Sequence, residues 1–127
     1  MNLTLWITAG LLAAVALGSG ITKTFVPQQK LAAAPGGRWT GQVGAGFVKT
    51  LGVIEILAAA GLILPAVLDI APMVVPVTAI CWIVLMIGAI ITHLRDGEAE
   101  FILLNIAYLA LAAYVAWGRL GPEPFGS

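Results

Sequence analysis

Four long apolar segments constrain this chain more than any other feature of its sequence. They cover residues 3–22, 46–68, 70–92 and 101–118, and only the second contains charged residues. A helix of about 20 apolar residues crosses the hydrocarbon core of a bilayer, which is about 30 Å thick. Charged residues make up 9% of the chain, whereas soluble domains carry about 25%. The sequence therefore excludes a water-soluble fold and predicts an all-α membrane protein, with a single transmembrane domain over residues 1–127 that forms a four-helix antiparallel bundle in the lipid bilayer.

The connections between the segments predict how the bundle is ordered. Residues 23–45 form a loop with prolines, glycines and basic residues, and Trp39 indicates a short piece at the membrane interface. A connection at Asp69 predicts a tight hairpin between the second and third spans. Pro76 is expected to kink the third span. Small residues at 16–20 are also compatible with a signal peptide, but no basic region precedes the first run, which favours a membrane span.

Charge and cysteine content exclude several classes of function. The six basic and six acidic residues give a formal net charge of zero, so nothing indicates a nucleic-acid partner. Cys81 is the only cysteine, which excludes an intrachain disulfide and a dithiol redox motif. One histidine and one cysteine at different depths suit neither a haem nor a zinc site. We therefore expect no metal and no intrinsic cofactor, and electrons for any redox chemistry would come from a partner or a substrate.

Most of the charged residues map to one end of the predicted bundle. Alternating spans place the loop at 23–45 and the polar stretch after residue 92 on the same side of the membrane. The residues expected at this end are Lys23, Lys49, His93, Arg95 and Glu100. The opposite end has only Asp69, Arg119 and Glu123. The sequence therefore predicts that polar chemistry is concentrated at the end that carries the first and third loops.

Glu55 is the costliest residue of the sequence to place in a membrane. It lies nine residues into the second span, about 13 Å below its start, and a charge there costs about 2.5–3.5 kcal/mol on insertion scales. Intramembrane carboxylates usually face the bundle interior and serve function, although a structural interhelical hydrogen bond is the alternative. Lys49 is six residues away, on a different face of the helix, so Glu55 needs a partner from another helix.

The remaining candidate residues each have a functional and a structural interpretation. Lys49 either belongs to a site or extends to the interface with its stem in lipid, and Lys23 and Arg95 taken alone are interfacial anchors. His93 either relays protons to Glu55 or caps a helix. Trp82 and Tyr108 either line a pocket for a ring or an acyl chain or pack inside the bundle. The candidate ligand-binding residues are Glu55, Lys49, Lys23, His93, Arg95, Trp82 and Tyr108, with Glu55 and His93 as candidate catalytic residues.

Small residues recur at positions where helices could approach closely. Ala14, Gly18 and Thr22 are spaced four residues apart in the first span, and Gly88 and Thr92 are spaced likewise in the third. This pattern favours tight helix contact in lipid, although alanine and glycine are abundant throughout the chain.

Three segments together resemble the DoxX-like family of small four-helix bacterial membrane proteins. They are Gly20-Ile21-Thr22-Lys23 at the end of the first span, Lys49 to Glu55 with Gly61 to Pro65 in the second, and Gly88 to Arg95 with Gly97-Glu98 after the third. The resemblance covers nearly the whole chain. It implies a quinone-facing or complex-anchoring role, with a redox-enzyme subunit as partner, in the bacterial cytoplasmic membrane.

Three functions remain open on sequence alone. The first is a membrane subunit that binds a quinone or another lipid-like molecule and supports a redox partner. The second is a small proton-coupled transporter or channel with Glu55 as its proton site, and the third is an assembly factor without chemistry. Whether the chain is an enzyme is left open. Basic residues favour cytoplasmic first and third loops, and the lipid-facing surface is compatible with a homodimer.

Overall fold

The computed structural model describes residues 1–125. Four long helices make up most of this part of the chain. They are α1 (Asn2–Phe25), α3 (Ala45–Val67), α4 (Val74–Asp96) and α5 (Ala99–Leu120), and a short helix α2 (Gln28–Ala33) lies between the first two. Each long helix is long and apolar enough to cross a membrane. The predicted four-helix membrane bundle is therefore confirmed.

Helix boundaries differ from expectation mainly at the third span. The helix expected over residues 70–92 runs from Val74 to Asp96, so His93 and Arg95 lie in its last turn rather than in a loop. Pro76 is the third residue of α4, where backbone N–H groups have no intrahelical acceptor. It therefore removes no hydrogen bond from the helix, and the expected kink has no cause at that position.

The first loop contains more structure than the sequence indicated. Besides α2 it contains a 3-10 turn, Arg38–Gly41, which includes Trp39. The side-chain amide of Gln28 donates hydrogen bonds to the carbonyls of Thr40 (2.6 Å) and Val43 (2.8 Å). These bonds tie the two halves of the loop together, and we call residues 28–43 the cap segment.

The helices pack as two pairs, α1 with α3 and α4 with α5, and the contacts between pairs are less extensive. The buried core lies at the end of the bundle that carries the amino terminus. It includes Leu12 of α1, Leu62 of α3, Val75 of α4 and Val115 of α5, each at most 1% exposed. The outer faces expose large apolar side chains, as expected for helices that contact lipid tails.

Two glycines bring α1 and α3 together near the first loop. A Cβ atom at Gly20 would lie 2.6 Å from the carbonyl oxygen of Gly52, and one at Gly52 would lie 2.8 Å from the carbonyl oxygen of Gly20. The close contact therefore uses Gly20 rather than the expected Gly18. A Cβ at Gly18 or Gly88 would have no atom within 4 Å, so neither glycine forms the tight helix contact that the small-residue spacing favoured.

Candidate functional site

A cavity of about 920 Å³ separates the two helix pairs on the side of the first loop. Gly18 and Gly88 both lie on its wall, which explains why their missing side chains leave open space. The rest of the wall is mostly apolar and includes Val15, Leu51 and Leu85. The volume falls within the range of about 300–1,000 Å³ that is usual for small-molecule sites. We call this space the central cavity.

Glu55 faces the central cavity because of the inward stripe of α3. The buried residues of this helix are Val48, Gly52, Glu55, Ala59 and Leu62, alternately four and three residues apart. Such spacing places side chains on one face of a helix. Glu55 therefore lies on the same face as Gly52, which meets α1, and its side chain is directed to that helix.

Two residues of α1 bind the Glu55 carboxylate. Ser19 donates a hydrogen bond from Oγ to Oε1 (2.8 Å), and the Lys23 ammonium lies 2.9 Å from Oε2. Lys23 also donates a hydrogen bond to Ser19. Glu55 is 2% exposed, and all three residues line the cavity. The partner that Glu55 needs thus comes from another helix, as the sequence indicated, and the network presents a compensated ion pair to the cavity.

The cap segment covers the polar end of the cavity and contacts the far helix pair. Arg38 donates a hydrogen bond to the carbonyl of Asp96 (2.9 Å) and pairs with its carboxylate (3.5 Å). Arg95 donates one to the side-chain oxygen of Gln42 (2.7 Å). Trp39 lies with its ring centroid 5.9 Å from the Lys23 ammonium. Trp39, Gln42 and Arg95 line the cavity, and we call these three residues its mouth.

His93 lies on the cavity wall but has no contact with Glu55. Its Nδ1 is 2.8 Å from a carboxylate oxygen of Glu98, and its ring stacks on Phe101, with 5.4 Å between centroids. Glu98 follows Gly97, whose φ of +72° ends α4 in the left-handed conformation that glycine favours. The contacts of His93 thus fix the turn between α4 and α5, and none of them supports a direct proton relay to Glu55.

Of the other candidates, two line the cavity and one does not. Trp82 and Tyr108 lie on its wall. Trp82 is 2% exposed, and its indole N–H has no acceptor among residues 1–125. Lys49 is not part of the lining, and its ammonium donates a hydrogen bond to the Thr24 carbonyl (3.0 Å) at the end of α1. The structure therefore places Lys49 at a helix end and not at the cavity.

Sequence reasoning missed several polar residues of the cavity, among them Ser19, Gln42 and Asn105. Ser19 was considered only as part of a possible cleavage region, although its four-residue spacing from Lys23 places both on one face of α1. Gln42 belongs to the first loop, and no sequence signal places it opposite Arg95. Asn105 of α5 also lines the cavity, and a polar amide inside an apolar span is a signal that could have identified it.

Comparison with known proteins supports the resemblance drawn from the motifs. No curated protein and no solved structure matches the chain. The model of the DoxX-like family matches residues 7–115, which include α1 from its second turn, the cap segment and most of α5. The match covers both residues of the Lys23–Glu55 pair and the mouth of the cavity. The chain therefore belongs to the DoxX-like family.

Proposed function

We propose that this integral membrane protein binds a quinone or another lipid-like molecule in the central cavity, as a membrane subunit or accessory protein of a redox complex. The observation that carries the proposal is the composition of the cavity, which combines an apolar wall with a buried polar network of Ser19, Lys23 and Glu55. Ligand sites typically pair an apolar lining with a few placed polar groups.

The two parts of the cavity suit the two parts of a membrane-soluble ligand. An apolar tail would lie between α3 and α4. It would contact Leu51 and Ala58 of α3 and Met86 and Ala89 of α4. A head group with carbonyl or hydroxyl oxygens would accept from Lys23 and exchange hydrogen bonds with Glu55, which are the groups able to hold or move a proton there. The network thus gives the proposed ligand a polar anchor inside an apolar bundle.

A redox role requires a partner under this proposal. The chain is expected to hold no redox centre of its own, so electrons for a bound quinone would come from another protein. Fold similarity does not carry chemistry, and the partner is therefore a separate element of the proposal. Cross-linking in native membranes followed by purification tests it, and recovery of the chain without an oxidoreductase subunit would contradict it.

Quinone titration tests ligand binding directly. Trp39 and Trp82 line the cavity, whereas Trp6 and Trp117 do not. In a variant with Trp6 and Trp117 replaced by phenylalanine, added quinone should quench the remaining fluorescence in a saturable way. Glu55→Gln should weaken binding at least tenfold, and Glu100→Gln, the same change at an exposed residue of α5, should not. Quenching that does not saturate would contradict the proposal.

A proton-coupled transporter is the second candidate, favoured by one observation. Glu55 lies deep in a membrane helix and yet lines a cavity that reaches the polar end of the bundle. Such carboxylates serve as proton sites in transporters. Reconstituted protein should then take up protons in liposomes when a substrate gradient is imposed. Uptake unchanged by Glu55→Gln would exclude this mechanism.

The membrane and the orientation are part of the proposal. We propose the bacterial cytoplasmic membrane, with the cap segment and the α4–α5 turn in the cytoplasm, because Lys23, Lys30, Arg38 and Arg95 lie at that end. Single cysteines at Lys30 and at Glu123, placed in a Cys81→Ser background, should differ in labelling by an impermeant maleimide. Labelling of position 30 in intact spheroplasts would reverse the orientation.

A further inference from the structure

The charges around the central cavity are not balanced. Three charged residues line it: Lys23, Glu55 and Arg95. Lys23 and Glu55 neutralise each other at 2.9 Å. Glu98 of the α4–α5 turn binds His93 and is not part of the lining. Arg95 is therefore the one charged residue of the lining that has no oppositely charged partner within the lining.

The surroundings of Arg95 leave its positive charge only partly compensated. Its side chain is 62% exposed, and its nearest carboxylate is Asp96, 3.4 Å from Nε. The same oxygen lies 3.5 Å from Arg38, so two guanidinium groups share one carboxylate. Gln42, which accepts the remaining hydrogen bond of Arg95, is neutral. The mouth of the cavity thus carries one excess positive charge.

The cavity is elongated along α4. Its wall on this helix extends from Cys81 to Arg95, fourteen residues apart and about 21 Å at helical rise. On α3 it extends from Phe47 to Ala58, about 16 Å. The charged mouth is therefore at one end of a long apolar space, which suits a chain better than a compact ring.

We propose that the cavity binds an acidic amphiphile, with a carboxylate or phosphate head group at Arg95 and Gln42 and an apolar chain that extends toward Trp82. The inference rests on the proposed function and narrows its ligand from lipid-like molecules in general to acidic ones. A guanidinium binds the oxygens of a carboxylate or phosphate through two parallel hydrogen bonds. An acidic head group would supply the negative charge that the mouth lacks.

A pair of probes that differ only in charge tests the proposal. A dibrominated stearic acid and its methyl ester share one chain, and bromine quenches tryptophan on contact, so Trp39 and Trp82 report occupancy in the variant with Trp6 and Trp117 replaced by phenylalanine. An alkyl sulfonate of equal length serves as a permanently charged competitor, and inorganic phosphate, a head group without a chain, is the control that should not displace the acid. We expect the acid to bind at least tenfold more tightly than the ester and the sulfonate to displace it.

Two variants test whether Arg95 causes the preference for the acid over the ester. Arg95→Gln should reduce the acid-to-ester ratio to about one while the ester binds as before. Lys30→Gln removes the same charge at the same end of the bundle, from an exposed residue outside the cavity, and should keep the ratio. An equal loss of preference in Lys30→Gln would show that net charge, and not Arg95, selects the acid, and would overturn the proposal.

The remaining outcomes separate this inference from the proposed function. If the acid, the ester and the quinone all fail to quench in a saturable way, the cavity binds no lipid-like ligand and both proposals fail. If the ester binds as tightly as the acid, the proposed function stands and the acidic class is wrong. Displacement of the acid by millimolar inorganic phosphate would indicate an anion site without a chain, which also overturns the inference.

Discussion

Lys23 of α1 and Glu55 of α3 form an ion pair of 2.9 Å inside a bundle of apolar helices. The carboxylate is 3% exposed at its side chain, whereas the lysine side chain keeps 19% exposure toward the cavity. Taking charges out of water costs several kcal/mol per ion, and this cost is offset only when the geometry is good and further hydrogen bonds are made. Ser19 supplies the further hydrogen bond.

Replacing either residue of the ion pair should destabilise the protein, and the two effects on the free energy of unfolding should not add. Lys23→Met leaves a buried carboxylate with Ser19 alone and should lower the free energy of unfolding by about 3 kcal/mol. Glu55→Gln leaves a lysine that still reaches the cavity and should cost less, about 1 kcal/mol. The double variant should cost less than the sum of the two. Unfolding in mixed micelles by added SDS measures all three, and additive effects would contradict a direct pair.

The Gly20–Gly52 contact should tolerate no side chain. Gly20→Ala places a methyl group 2.6 Å from a backbone oxygen and should destabilise the bundle by about 1–3 kcal/mol, as overpacking does elsewhere. Gly10→Ala is the matched control, since it lies in the same helix and a Cβ there has no atom within 4 Å. The same SDS titration should show no loss in the control, where the higher helix propensity of alanine adds up to about 1 kcal/mol. Equal stability of the two variants would show that the helices separate easily.

The Arg38–Asp96 contact should hold the cap segment against α4. Arg38→Gln removes both the bond to the Asp96 carbonyl and the ion pair, so residues 28–43 should open more often. Backbone amides of this segment should then exchange hydrogen about fivefold to tenfold faster, because the lost interactions contribute about 1–1.5 kcal/mol. Lys30→Gln, which removes an exposed charge from the segment itself, should leave exchange unchanged. Faster exchange throughout α1 would indicate general destabilisation instead.

Arg119 should stabilise the opposite end of the bundle. It is 3% exposed and donates hydrogen bonds to the side chain of Asn2 (2.9 Å) and the carbonyl of Glu123 (3.1 Å). Its guanidinium carbon lies 3.7 Å from the ring centroid of Phe125, within the range of a cation–π interaction.

Arg119→Met should therefore lower the free energy of unfolding by about 2 kcal/mol, the scale of hydrogen bonds to a charged group. SDS titration measures the loss, with Lys30→Met as an exposed control of the same charge change. The fluorescence of Trp6, whose ring lies 5.7 Å from that of Phe125, should also shift. An unchanged midpoint would show that the carboxyl-terminal turn is held without Arg119.

Local hydropathy explains why the architecture was predictable and the exact helix ends were not. Whether a segment spans a membrane depends on its own length and apolar content, so four spans follow directly from four apolar runs. A helix end depends on capping as well. Gly97 ends α4 at Asp96, so the polar residues from position 93 to 96 belong to the last turn of this helix.

The candidate site was predictable only in part. Alternation of the spans places Lys23, Glu55, His93 and Arg95 at or beneath one end, and the structure places all four on one cavity. Which of them pair was not predictable, because apolar residues are spread evenly around α3 and no amphipathic face indicates which side meets α1. Among residues of other helices, the sequence therefore left both Lys23 and His93 as possible partners of Glu55, and the structure pairs His93 with Glu98 instead.

The sequence by itself determined that the chain lies in a membrane, crosses it four times and concentrates its charges at one end, since these properties depend on composition and order along the chain. The tertiary structure decided that Lys23 and Ser19 meet Glu55 and that Arg95 is left without a carboxylate of its own. The physical reason is steric: because Gly20 and Gly52 lack side chains, α1 can pack closely on α3, while the two helix pairs stay apart around the cavity.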